Sequence, residues 1–136
     1  MIMRDDFYND IKNYFNYLVT EFDCKICNER YDNSLLFEIE YCSKKDIIVS
    51  ISYDVRNDFI QIILFIKKNG MMPDYDDKSH TIHLTELNKK ILPLMKKLDF
   101  ENNNKYFSNF AINKGDNLLK QAKDLRLCLY NVSWFG

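Results

Sequence analysis

Four cysteines and two histidines are the side chains here best suited to hold a metal or move electrons. Cys24 and Cys27 are spaced Cys-x-x-Cys, and His80 and His83 are spaced His-x-x-His. Zinc takes four such ligands, but its histidine pairs want a wider spacing on a helix. This pair falls in a segment that reads as a strand, where residues three apart point to opposite faces. A redox Cys-x-x-Cys needs a thiolate at a helix N-terminus after a strand, whereas Cys24 follows the end of a helix. No metal and no structural disulfide is therefore expected, and Cys24, Cys27, Cys42 and Cys128 read as reduced thiols of a cytoplasmic protein.

Catalytic groupings are equally thin. Glu38 and Glu40 share a strand face, roughly 7 Å apart, but acid and base roles require environments that separate two pKa values. Ser79 stands beside His80, yet no G-x-S-x-G elbow occurs to activate a serine. Three glycines, Gly70, Gly115 and Gly136, cannot form a dinucleotide fingerprint or a Walker loop. The chain reads as a non-enzyme without cofactor; a small-ligand enzyme with a pocket near His80 and His83 is one alternative. A homo-oligomeric structural module is another.

Residues 1–136 are of a length for one α+β domain with a real core. Net charge is −1, too small for nucleic-acid binding by bulk electrostatics, so no nucleic acid is expected. The sum hides an asymmetry: residues 1–80 carry 15 acidic and 10 basic groups, and residues 81–136 carry 5 and 9. The N-terminus turns polar at once, without the pattern of a signal peptide. The longest apolar run, residues 62–66, is far short of a membrane span, so no membrane partner is expected either.

The elements follow from periodicity. Asp5 or Asp6 can cap a helix over residues 5–22, with Phe7, Ile11, Tyr14, Phe15, Leu18 and Phe22 along one stripe. Residues 23–33 read as a polar loop. Three strands of period 2 follow, inward at Leu35, Phe37, Ile39, Tyr41, then Ile47, Val49, Ile51, Tyr53, then Ile60, Ile62, Leu64, Ile66. A three-residue loop at residues 43–45 pairs Tyr41 with Ile47 and Phe37 with Ile51. A type I′ turn at Arg56-Asn57 pairs Tyr53 with Ile60 and Val49 with Leu64. Residues 79–84 can add a fourth strand to this antiparallel meander. Thr85 can cap a helix with Leu87, Ile91, Leu94, Met95 and Leu98 inward, kinked or divided at Pro93. Residues 102–104 break the chain, and Tyr106, Phe107, Phe110 and Ile112 make a short helix or an anchoring segment. Asp116 caps a last helix with Leu118, Leu119, Ala122, Leu125 and Leu129 inward, and the tail with Val132, Trp134 and Phe135 is too apolar to be free. The helices are expected on the Phe37/Val49/Ile62 face.

Two surfaces then stand out. The outer face of the meander carries Ile48, Ile63 and Phe65 among Glu38, Glu40, Ser50 and Gln61, an apolar centre with a polar rim suited to a protein partner. The competing reading is that the chain covers this patch itself, with its Met71-Met72 loop or Trp134-Phe135 tail. That loop, with Asp74, Tyr75, Asp76 and Asp77, could occupy the basic groove of a nuclease, its carboxylates standing where phosphates would lie.

The leading aromatic helix, the meander over residues 35–66 and the Asp-Leu-Arg-Leu-Cys-Leu-Tyr stretch at residues 124–130 resemble small immunity proteins of bacterial contact-dependent growth inhibition and related polymorphic toxin systems. The resemblance implies a stoichiometric inhibitor that binds and neutralises one cognate toxin domain, often a nuclease, with no catalysis of its own. The near-zero charge departs from strongly acidic nuclease inhibitors.

Overall fold

A computed structural model describes residues 4–32, 35–110 and 117–135. Five strands, β1 (Lys25–Asp32), β2 (Leu36–Cys42), β3 (Ile47–Asp54), β4 (Phe59–Ile66) and β5 (Thr81–His83), form one antiparallel meander in chain order. Helices α1 (Arg4–Tyr14) and α2 (Tyr17–Thr20) precede it; α3 (Leu84–Ile91), α4 (Lys97–Tyr106) and α5 (Asn117–Tyr130) follow. The fold is α+β, as the periodicity predicts, with one strand more than expected.

The inward series of β2, β3 and β4 pack into one core with Phe7, Ile11, Phe15 and Leu18 from the N-terminal helices, except Leu35, which lies in the turn before β2 and is exposed rather than inward. Leu118, Leu119, Ala122, Leu125 and Leu129 of α5 complete it, so the helices cover the Phe37/Val49/Ile62 face. Tyr17 is fully buried between these layers, and its hydroxyl donates to the Ala122 carbonyl at 2.8 Å. Burial pushes that phenol up from its ordinary range. Phe135 of the tail is buried against Phe22.

The β3–β4 register is as expected, with Tyr53 opposite Ile60 and Val49 opposite Leu64. Its turn differs in kind: Asp58, rather than Arg56 or Asn57, takes the positive φ, so it is not type I′. In β2–β3 the pairs are Tyr41 with Val49 and Phe37 with Tyr53, two residues from the expected register. A shift of two keeps every side chain on its face, which is why the face assignment survives.

Other corrections have local causes. The first helix divides at residues 15–16, because Phe15, Tyr17 and Leu18 are all buried and three such neighbours cannot share one helical stripe. His83, not Thr85, is the N-cap of α3. Pro93 does divide the next helix, through a 3-10 turn at Leu92–Leu94. Beyond it the chain is extended at Met95, the helical phase is reset, and Leu94 and Leu98 emerge exposed rather than inward. The asparagines at residues 102–104 continue α4, with Asn103 buried. Asp116 and Ile112 lie outside the described residues.

Candidate functional site

The expected loop over residues 23–33 is largely strand β1, and this reorganises the outer sheet face. Glu38 accepts from Arg30 Nε at 2.9 Å and from the Ser50 hydroxyl at 3.4 Å, while Glu40 accepts from Asn28 Nδ2 at 2.9 Å. The two carboxylates are therefore partnered across strands and do not form a free acidic rim.

The apolar centre is also not free. Ile48, Ile63 and Phe65 form a small second core with Cys42, only 5%, 3% and 7% exposed. Ser50 beside them is buried too. The loop that follows β4 returns across this face. It leaves through a one-rung hairpin in which Lys68 and Met71 exchange backbone hydrogen bonds of 2.8 and 2.9 Å. Asn69 and Gly70 both have positive φ there, as a two-residue type I′ turn requires. Tyr75 then donates its hydroxyl to Gln61 Oε1 at 2.9 Å. Its ring lies 6.4 Å from that of Phe65 and meets His83 edge-on at 6.1 Å. Gln61 also meets His83 Nδ1 at 3.3 Å. Sheet face and acidic loop, two alternatives in the sequence, are thus one surface, with the loop as its outer layer.

Of the loop's acids, Asp77 is structural. It accepts from the Ser79 amide and hydroxyl at 3.1 and 2.7 Å, and lies 3.2 Å from His80 Nδ1 and 3.5 Å from Lys68 Nζ. The Ser79 hydroxyl leads these contacts in holding its carboxyl down at about 2. Asp74 and Asp76 remain exposed. So do Tyr75 at 59% and Phe59 at 55%, the latter two residues before Gln61 on the same face of β4. Phe59 carried no distinguishing signal in the sequence beyond its place in the outward series of its strand.

Asp77, Ser79 and His80 touch one another, but not as a catalytic triad. Serine and carboxylate both meet the same imidazole nitrogen, Nδ1, whereas a relay needs one on each nitrogen. His83 lines a cavity of about 140 Å³ with Phe59, Gln61, Thr85, Asn117 and Gln121, which holds no carboxylate or thiol. His80 is not part of it. Among the described residues, no group of three or more metal-ligating side chains comes together.

The cysteine expectation needs correction. Cys27 and Cys42 are joined in a disulfide between β1 and β2. The β1–β2 register slips between Ile26 and Asn28, leaving Cys27 as the extra residue of a bulge beside Cys42. Without the strand, nothing in the spacing shows the two thiols as neighbours. The free-thiol ground for a cytoplasmic location is thereby lost for this pair. Cys24 and Cys128 are buried and free, and burial pushes their thiols up to about 11 and about 12.

No helix of the described residues is long and apolar enough to cross a membrane. Compared with protein-family models, curated proteins and solved structures, the chain matches none.

Proposed function

We propose that this chain is a stoichiometric protein-binding inhibitor, an immunity protein that neutralises a cognate bacterial toxin domain and performs no catalysis itself. The observation that carries the reading is the fastened loop. Tyr75 is held on Gln61 and Phe65, and it stays more than half exposed between the exposed carboxylates of Asp74 and Asp76. Tyrosine is among the residues enriched at binding hot spots, and interfaces carry a polar rim around such anchors. Phe59 extends the apolar area along β4. A nuclease domain is the toxin class that two exposed carboxylates beside an aromatic suit, since they compete for a groove built for phosphates. No metal, cofactor or nucleic acid enters this scheme.

The partner is sought as the C-terminal domain of a large secreted toxin encoded immediately upstream, and binding is measured by calorimetry. Tyr75→Ala should weaken it by about 2 kcal/mol or more with folding kept. Phe65→Ala, a truncation under the loop, should instead lower stability by about 3 kcal/mol. Full neutralisation by Tyr75→Ala and Phe59→Ala variants would remove the proposed site, and absence of binding to the upstream domain would remove the inhibitor reading.

A further inference from the structure

The strongest unexplained surface lies at the opposite chemical extreme, where α3 turns into α4. Between Glu86 and Asp99 the sequence runs through twelve residues with four lysines and no carboxylate. Lys89, Lys90, Lys96 and Lys97 are all exposed, in two pairs that flank Ile-Leu-Pro-Leu-Met. Leu94 is 71% exposed and Leu98 62%, among the most exposed apolar side chains of the described residues. The corner is firmly mounted: Leu84 and Leu87 are buried, and Asn88 reaches Asp124 at 3.4 Å. Asp124 is also met by Lys120, the Asp99 carboxylate accepts from the Lys96 amide, and Lys97 Nζ lies 3.8 Å from Glu101 Oε1 in an exposed pair that lipid phosphate would have to displace.

We propose that this corner docks on an anionic lipid bilayer, Leu94 and Leu98 entering the headgroup boundary and the lysine pairs meeting lipid phosphates. Protein interfaces are enriched in aromatic residues and arginine and depleted of lysine. Residues 87–98 contain neither an aromatic nor an arginine, and their only charges are lysines. Leucine beside lysine is what a membrane surface takes, by apolar insertion plus attraction to anionic lipid. The expectation of no membrane partner rested on the lack of a span, which surface docking does not need. This inference is independent of the proposed inhibitor role.

The test is sedimentation with vesicles of phosphatidylcholine alone or with about a third phosphatidylglycerol, a composition that supplies the negative surface. The chain should bind the anionic vesicles and stay in solution with the neutral ones. The double variant Leu94→Asn, Leu98→Asn should bind about tenfold more weakly. Lysine-to-glutamine changes at 89, 90, 96 and 97 should weaken binding about fivefold per charge removed. Both leucines are exposed, so an unchanged thermal melt of their variant is expected and separates docking from folding. Failure of the wild-type chain to sediment with anionic vesicles, or equal binding by the leucine variant, would overturn the proposal. Retention on immobilised polyglutamate without vesicle binding would overturn it in favour of an acidic protein surface.

Discussion

Arg126→Met probes how the last helix is fastened to the rest of the chain. Nε and Nη2 reach the two carboxylate oxygens of Glu21 at 2.8 and 2.9 Å, and Nη1 donates to Asn103 Oδ1 at 2.8 Å. The guanidinium lies 4.3 Å from the ring centre of Tyr106 and 4.8 Å from that of Tyr130. The Arg126 and Glu21 side chains are 13% and 24% exposed, between a surface pair at about 0–1 kcal/mol and a buried pair at about 3–5 kcal/mol when one partner is removed. Each ring contact adds about 0.5–1 kcal/mol, and methionine keeps much of the apolar packing of the stem. A loss of about 2–4 kcal/mol follows, read by urea unfolding at pH 7.

The same pair has a signature in acid. The hydrogen bond from Arg126 holds the Glu21 carboxyl below its ordinary range. A carboxylate lowered in the folded state stabilises fully above its unfolded pKa, about 4.3, and that stability is lost as pH falls through the folded value. The variant has already lost it, so its stability should fall less steeply below about pH 4. Glu21→Gln combined with Arg126→Met should cost less than the two single changes together by about 1–2 kcal/mol. Strict additivity, or parallel acid limbs in variant and wild type, would refute the assignment.

Val49 is fully buried at the centre of the sheet, so Val49→Asp should cost several kcal/mol, on the order of the whole stability of a domain this size. Cooperative unfolding of that variant, checked by circular dichroism, would mean the inner face is wrongly placed. The Cys27–Cys42 bond closes a separation of 15 residues, for which loop entropy predicts about 3 kcal/mol. Reduction of the wild type and Cys27→Ser should lower the melting temperature alike, and the variant should then be insensitive to reductant.

Legibility in the sequence followed the origin of each element's stability. Strands β2 to β4 share one wholly apolar inner face, so alternation marks them and restricts register to steps of two, even where β3 and β4 bury outer residues as well. Strand β1 is exposed along its whole length, and its inward residues Ile26 and Tyr31 are five apart because the bulge adds a residue. Pairing to β2 creates that strand, and no window of hydrophobic period contains it. The missed disulfide follows directly, since Cys27 becomes a neighbour of Cys42 only through that pairing. The Pro93 break was legible, but the rotation it imposes was not, so Leu94 and Leu98 were placed inward by continuing one period across it. On the candidate surface, the composition of Tyr75 and its aspartates was visible. That Tyr75 lies against Phe65 depends on the Gln61 contact, a tertiary event with no local trace.

The loop after β4 has a thermodynamic consequence. Three fastenings hold it: the Lys68–Met71 rung, the Tyr75–Gln61 hydrogen bond and the turn around Asp77. Ordering a free segment takes roughly 1–2 kcal/mol of conformational entropy per residue, and here that loss is incurred when the chain folds rather than when a partner arrives. On the proposed inhibitor role, encounter with the toxin domain would be rigid-body docking, with rates in the ordinary range of about 10⁵–10⁷ per molar per second rather than gated by a folding step. On that role, loosening the Lys68–Met71 rung or the turn around Asp77 would move that entropy back to the moment of association, weakening capture while Tyr75 itself is kept.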